Sequence, residues 1–464
     1  MILEIKKFSK SDLIKFANFS GDFNEIHLDP SYASRTPYEK PIVHGIHILL
    51  YSLECLTPKV LKAITSCRVI FNKSVQIDQE ISINWDMSSK LLSINDNNSK
   101  VLARISDIHF CENDFKEMKY PLPLHQSQKF LPEEANISSL TPNSEFSYEY
   151  NGDSQLCQVL YPELSKLYSI STLCEIAKLS AFVGMKIPGK YSLFRGINIK
   201  IGNVENHTKT FKISSIDKRV GAVSIEYTGF EIKAQLNTFF RPKPMGIPHC
   251  SEINQSLNSM VRYENMSVLI IGGSRGLGAW ASKIFAVFGF NVTLTYNKNY
   301  LEAKNIQDDI VSFGGNCRIV KFDVLTSLIN IWQDDRFELV LYFATPAIVA
   351  NYSGVFDSAL YDNFRKFYVE SFEKFVVELS PRCGNFFYPS TTLIDAPELG
   401  FEEYIKAKTE GEIICKHYTD AKNKQIIVRR LPRLATDQNN WIFGKNTVSP
   451  MAEMVKIFEL LTTT

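Results

Sequence analysis

The run Gly21-Asp22-Phe23-Asn24-Glu25-Ile26-His27 sets a carboxylate, an amide and an imidazole close together in the chain. A carboxylate and an imidazole five residues apart on one turn can hold a single water between them and share acid–base work. Downstream, Pro41-Ile42-Val43-His44-Gly45 opens an apolar run. The Gly45 N–H would lie near the start of a helix, without an intrahelical partner and at the positive dipole end. Such a group can donate to an oxygen that gathers negative charge. A second set lies in the C-terminal half. Gly272-Gly273-Ser274-Arg275-Gly276-Leu277-Gly278 stands between an apolar strand and a helix, where a dinucleotide pyrophosphate would bind. Tyr404 and Lys408 are four residues apart, on one helix face, where an ammonium can lower a phenol's pKa.

These groups need elements to hold them. Ser9 and Ser11 are candidate caps for a helix ending near Phe19, interrupted by the polar stretch from Gly21 to Asp29. An apolar helix is expected from near Pro41 through IVHGIHILLYSLECL. CRVIFNKSV, EISINWDM, KLLSIND and KVLARISDI then read as strands separated by polar turns. A long helix followed by an antiparallel meander is what a hot dog fold needs, a sheet wrapped around a central helix. From Ser165 the pattern returns: SKLYSISTLCEIAKLSAFVG reads as an apolar helix, followed by strand-like YSLFRGINIKIG, TKTFKISSID, AVSIEYTGF and IKAQLNTFF. Residues 1–125 and 126–245 are therefore expected to form two α+β hot dog repeats, the second covering an apolar edge as a dimer partner would. The alternative for 126–245 is an unrelated α+β domain. The stretch 246–264 is rich in polar residues and reads as a linker, and His207, in NVENHTK, brings no acid–base partner to the second repeat. Over 265–464 apolar strands alternate with amphipathic helices, the pattern of an α/β Rossmann-type doubly wound parallel sheet.

Bulk composition narrows the class. At 464 residues, 45% hydrophobic and 22% charged, the chain is expected to be a multidomain globular protein. A net charge of +1 gives no general reason for nucleic-acid or anionic-membrane binding, and no apolar run is long enough for a membrane span. The nine cysteines are scattered without metal-ligand spacing, which predicts no metal centre and free thiols in a cytoplasmic protein.

The first constellation, FSGDFNEIHLDPSYASRTPYEKPIVHG, resembles the MaoC-like (R)-specific enoyl-CoA hydratase/dehydratase family, with Glu25 where that family usually has proline. The resemblance implies that Asp22 and His27 are the acid/base pair, that Asn24 orients the loop and that Gly45 supplies the oxyanion donor. It implies one site per chain, with the second repeat as packing partner and acyl-pocket wall.

The second constellation resembles the short-chain dehydrogenase/reductase family in its glycine turn and its Tyr404-x-x-x-Lys408. That likeness implies nucleotide binding by Gly272, Ser274, Arg275, Gly276, Leu277 and Gly278, by Asp323-Val324 after the third strand, and by Pro432 after the sixth. Thr391 by spacing, or Ser390 by type, would hold the substrate oxygen beside Tyr404 and Lys408. Three elements depart from the family: Phe343-Ala344-Thr345 replaces N-A-G, Glu370 or Ser371 stands for an asparagine, and Leu431-Pro432-Arg433 replaces a Pro-Gly step. The second strand ends Thr295-Tyr296-Asn297-Lys298, without an acidic residue for a ribose hydroxyl, while Arg275 and Lys298 could meet a 2′-phosphate. NADPH is thus expected over NADH. Together the resemblances imply a bifunctional enzyme acting on thioesters of coenzyme A or acyl carrier protein, with homodimerisation through the reductase domain. The alternative is an active hydratase carrying a non-catalytic reductase domain as a docking or dimerisation platform.

Overall fold

The computed structural model describes residues 1–111, 129–202, 209–241, 243, 246–257, 263–327, 332, 335–352, 354–422, 425–436 and 448–463. His207 lies outside them. The chain divides into two compact units, one built on residues 1–243 and the other on most of 244–464.

The first unit holds a ten-stranded sheet among the described residues. Its first half contains β1 (Ile2–Lys7), β2 (Ile64–Phe71), β3 (Glu80–Asp86), β4 (Leu91–Asp96) and β5 (Val101–Phe110). Its second half contains β6 (Glu145–Phe146), β7 (Ser192–Ile201), β8 (Thr210–Asp217), β9 (Ala222–Thr228) and β10 (Ile232–Phe240). The order is β1-β3-β4-β5-β2-β7-β10-β9-β8-β6. Numbered within its own half, each half runs first, third, fourth, fifth, second, and the halves meet at their second strands. There β2 pairs antiparallel with β7, Val69 opposite Ile197. Each half also carries an apolar helix between its first and second strands, Gly45–Val60 and Ile170–Ala181, and both helices join one core with the inward side chains of the sheet. Every residue from Ser171 to Ala181 is buried. The alternation of β3 is what half-burial requires: Ile81, Ile83 and Trp85 point inward. The strand β1, too charged to show a clean alternation, was not anticipated from sequence.

The second unit holds a six-stranded sheet of β11 (Ser267–Ile271), β12 (Asn291–Tyr296), β13 (Cys317–Lys321), β14 (Phe337–Tyr342), β15 (Cys383–Thr391) and β16 (Gln425–Leu431). The order is β13-β12-β11-β14-β15-β16 with every pair parallel. Alternate residues of β11 enter different cores: Val268 and Ile270 pack with the helices Gly276–Val287 and Pro450–Thr463. Leu269 and Ile271 pack with Phe372, Phe375 and Cys415 from the opposite face. A parallel sheet covered on both faces explains the uninterrupted apolar run of that strand. The strand order reverses between β11 and β14, which opens a crevice at the carboxyl ends of these two strands.

One expected boundary is corrected. Within 246–264, residues Cys250–Leu257 form a helix rather than linker, and Cys250 and Ile253 are fully buried in the core of the second unit. Two apolar residues three apart suffice to make a buried face in a segment otherwise polar. The Cys250 N–H donates to Asp309 Oδ2 at 3.0 Å, so a side chain from a neighbouring helix caps this one.

Candidate functional site

In the first unit the helix Lys10–Ser20 starts at a Ser9–Asp12 capping box and stops at Gly21, whose left-handed backbone closes a bond to Ala17 O. The next residues form a tight loop that Asn24 secures. Its Oδ1 accepts from Ile26 N, and its Nδ2 reaches the carbonyls of Gly184 (2.7 Å), Gly189 (3.1 Å) and Lys190 (3.3 Å). Those carbonyls belong to the second half of the unit, so the loop of one half is anchored on the other.

Asp22 is 2% exposed and opens on a pocket also lined by His27, Gly45, Phe71, Ser180 and Phe194. Its Oδ2 accepts from Ser180 Oγ at 2.7 Å and its Oδ1 from Asn24 N at 3.3 Å. Burial pushes its carboxyl up to about 7, and the bonds from Ser180 and Asn24 oppose that rise. The His27 ring opens on the same pocket but is desolvated by its walls, which pushes it down to about 4. His27 Nδ1 lies 2.7 Å from Ile42 O, so the neutral ring donates there and leaves Nε2 as an acceptor. Gly45 begins the helix Gly45–Val60, and its N-cap His44 makes no side-chain cap bond. Asp22, His27 and Gly45 thus line one pocket, with Asn24 behind them.

Three participants were not foreseen. His44 is fully buried, stacks on His27 at 3.7 Å between ring centroids, and sets its Nε2 3.1 Å from Asp22 O. Its motif was read from sequence only for the glycine that follows. Ser180 and Gly184 come from the second half, where nothing in an apolar helical run marks them. A Cβ on Gly184 would stand 2.2 Å from Asp22 Oδ1, so only glycine admits the carboxylate there. One ligand atom each from Asp22, His27 and His44 fall within 4.8 Å of one another. Two of the ring nitrogens face backbone carbonyls, His27 Nδ1 towards Ile42 O and His44 Nε2 towards Asp22 O.

In the second unit the glycine turn follows β11. Gly272 N donates to Thr295 Oγ1 at 2.9 Å, and a Cβ on Gly278 would meet Gly272 O at 2.1 Å, which packs helix onto turn. Arg275 is the N-cap of the helix Gly276–Val287 and provides no side-chain cap bond, and the first N–H groups of the helix, at Gly276 and Leu277, have no intrahelical acceptor. This arrangement fits an anionic pyrophosphate. Asn297 and Lys298 are exposed at the end of β12. Arg275 Nε lies 3.6 Å from Glu302 Oε2, an acidic neighbour that sequence reasoning missed. Asp323 Oδ1 accepts from Leu325 N after β13, Val324 is buried, and Pro432 follows Leu431, which pairs with Thr391.

Of the two hydroxyl candidates, Thr391 hydrogen-bonds to the Tyr404 phenol, whereas Ser390 Oγ donates to Glu412 Oε1 at 2.5 Å. The expected lowering of the Tyr404 phenol is overturned. Burial pushes it up to about 12, with the Thr391 bond a smaller opposing influence. Lys408 does not offset this, because its Nζ donates to Pro389 O at 2.6 Å and sits 3.8 Å above the Tyr368 ring, 5.9 Å from that of Tyr404. Desolvation brings the lysine itself down to about 7. At the expected asparagine position, Ser371 Oγ donates to Val324 O and Glu370 pairs with Arg365. Phe343 is buried against Phe387. Among the described residues no helix is long and apolar enough to cross a membrane.

Solved structures resemble the chain at low sequence identity. The chain is similar to a FolM alternative dihydrofolate reductase 1 from Brucella suis in complex with NADP (19% identity, 37% of this chain and 72% of that one, TM-score 0.34). It is similar to a short-chain dehydrogenase from Shigella flexneri complexed with NADP (15% identity, 44% and 93%, TM-score 0.40). Among curated sequences, 48 residues are 50% identical to the (R)-specific enoyl-CoA hydratase of Aeromonas caviae, which is 10% of this chain and 34% of that protein. Another 45% identity over 42 residues relates it to the 3-hydroxybutyryl-CoA dehydratase of Methylorubrum extorquens, 9% of this chain and 27% of that protein. The chain therefore spans about a third or less of the curated relatives it matches. The family described as MaoC like domain matches residues 4–101, the stretch that holds Asp22, Asn24, His27 and Gly45.

Proposed function

We propose that the first unit hydrates trans-2-enoyl thioesters to (R)-3-hydroxyacyl thioesters and catalyses the reverse dehydration. The observation that carries the reading is the pairing of Asp22 with a neutral, oriented His27 around one pocket whose far wall presents the first N–H groups of a helix. Water held between Asp22 and His27 Nε2 attacks C3, and the Asp22 carboxylate takes one of its protons. The electron pair of the double bond moves toward the thioester oxygen, where the Gly45 N–H stabilises it. The proton then returns to C2. The repeated strand order of the two halves supports reading this unit as a double hot dog in which, among the described residues, only the first half carries the acid–base pair.

The second unit we read as a reductase of the short-chain type, interconverting 3-hydroxyacyl and 3-oxoacyl thioesters with NADPH. The helix start at Gly276 would hold the pyrophosphate, and Arg275 with Lys298 the 2′-phosphate; the bound nucleotide supplies or accepts a hydride. Tyr404 and Thr391 would hold the substrate oxygen. The carrier is coenzyme A or an acyl carrier protein, and a homodimer through this unit is the expected assembly of a cytoplasmic enzyme. A second reading has a specific observation behind it. Lys408 is tied to a carbonyl and Tyr404 is held at a raised pKa, as in a unit that binds nucleotide without turning over substrate.

Mass-spectrometric assay of the whole chain with crotonyl-CoA and acetoacetyl-CoA, with and without NADPH, tests both halves. Water addition to crotonyl-CoA without nucleotide is expected. Its absence, with the chain folded, would reject the hydratase reading. NADPH binding without reduction of acetoacetyl groups on either carrier would establish the platform reading.

A further inference from the structure

Among the described residues, the second half of the first unit brings no acid–base pair of its own, yet it reaches directly into the pocket. Its helix Ile170–Ala181 runs on into a wide π-turn over Phe182–Lys186, and the two elements bring Ser180 and Gly184 against Asp22. Irregular turns of this kind recur at functional sites. Ser180 is 2% exposed, and its hydroxyl, like that of Thr172 in the same helix, bonds a carboxylate outside the helix rather than a carbonyl of its own turn. Thr57 turns back on Leu53 O and Ser282 on Gly278 O, the usual fate of such groups. Ser180 instead crosses to Asp22 Oδ2, 158 residues away, at 2.7 Å. Gly184 removes the side chain that would otherwise push that carboxylate away.

We propose that Ser180 is a positioning residue for the hydration reaction: by donating to Asp22 Oδ2 it aims the carboxylate at the water and favours its anionic form. The second half is then a working part of the site as well as its wall. The inference rests on the hydratase reading of Asp22. A donor to a carboxylate stabilises the charged form, so losing it raises the carboxyl's pKa. The titratable groups that face Asp22 are His27 and His44 from its own half and Tyr148 from the other. Burial keeps both imidazoles neutral and holds the Tyr148 phenol above its ordinary range, so none of the three titrates near pH 7. The acidic limb of the rate therefore reports Asp22.

The test compares the full-length chain with Ser180→Ala and Ser180→Thr, following loss of crotonyl-CoA across pH. Ser180→Ala should lower kcat about tenfold with little change in KM and move the acidic limb of kcat/KM to higher pH by about one unit. Ser180→Thr, which keeps the hydroxyl, should restore most of the rate and return the limb. An unmoved limb and a normal kcat in a folded Ser180→Ala protein would overturn the proposal. Should Ser180→Ala fail to fold, Ser180→Cys carries the comparison: its weaker donor must still shift the limb upward, and an unshifted limb overturns the proposal equally. Asp22→Asn run alongside separates the two levels. If that variant hydrates normally, the hydratase reading falls; if it is inactive while Ser180→Ala behaves as wild type, only the role of Ser180 falls.

Discussion

Asp22–His27 and Tyr404–Lys408 are both read from sequence as spaced pairs of the right types, and the structure treats them differently. Around the first pair, polar groups are tied so that the reacting atoms stay open. Asn24 binds three carbonyls, His27 Nδ1 faces Ile42 O, and His44 Nε2 faces Asp22 O. Around the second pair, the atom that should assist is the one that is tied. Lys408 Nζ donates to Pro389 O among the rings of Tyr368 and Tyr388, and the Tyr404 phenol stays protonated by burial. Spacing on a helix puts two side chains on one face, but what their other neighbours take from them decides whether the pair can transfer a proton.

The largest effect is expected where the comparison is sharpest. Asp22→Asn should reduce kcat/KM for a short trans-2-enoyl thioester by about 100- to 10,000-fold, the usual range for losing an acid–base group. The same variant should be more stable at pH 8. The Asp22 carboxyl is raised in the folded state, from an ordinary 3.8 to about 7, so the native protein binds more protons than the unfolded chain between those values. Its penalty on folding is absent below about pH 4, grows as pH rises, and is complete above 7, where it is on the order of a few kcal/mol. A thermal melt of Asp22→Asn that matches wild type at pH 8 would show that the carboxyl is not desolvated as described.

Asn24→Ala should come next. It strips a buried amide from three carbonyls and from Ile26 N, leaving groups whose desolvation costs about 1–3 kcal/mol each when unpaired. Hydration should fall about tenfold or more as the loop loosens, and the melting temperature should fall with it. A normal melt with lost activity would instead give Asn24 a direct chemical role.

How much of this was legible depends on the reach of each signal. The helix Gly45–Val60 and the loop Asp22–His27 announce themselves by local pattern: a long apolar run, and polar residue types at fixed spacing. The repeat was visible because a helix and four strands recur in the same order. Ser180 and Gly184 were not visible, since a serine and a glycine in an apolar helical run carry no mark of what lies 158 or more residues away. The same limit hid the lysine's surroundings: Tyr368 and Tyr388 arrive from two other elements, while Tyr404 and Lys408 share one helix. The segment around Cys250 reads as linker because its composition is polar, although burial of two residues, Cys250 and Ile253, is enough to make it a helix.

The second pair can be questioned through pH. If the second unit reduces a 3-oxoacyl thioester, the rate should fall as pH rises through about 7, because Lys408 is brought down to that value and loses its charge above it. Tyr404→Phe should abolish this turnover and leave NADPH affinity within about twofold, since the phenol acts in the transition state rather than in nucleotide binding. A rate flat between pH 6 and 9 would mean that nucleotide binding pulls the lysine from Pro389 O and restores its charge, which would erase much of the contrast between the two pairs.

The smallest effect concerns the nucleotide. Arg275, the group proposed to meet a 2′-phosphate, lies with its Nε 3.6 Å from Glu302 Oε2, and the arginine side chain is 37% exposed against 8% for the carboxylate. A part-exposed ion pair of this kind is worth up to about 1 kcal/mol, or roughly a fivefold change in a binding constant. The carboxylate also repels an incoming phosphate at short range. Glu302→Gln should therefore strengthen NADPH binding about two- to fivefold and leave NADH nearly unchanged, because only NADPH presents the extra phosphate. Fluorescence titration of both nucleotides reads this directly. A gain shared equally by the two would place Glu302 against a part of the nucleotide they have in common. A loss for NADPH would mean that the carboxylate holds Arg275 in its binding pose. The selective gain would show that the binding half of the second unit is intact and only partly restrained, so that what separates the two units is the state of their proton-transferring pairs.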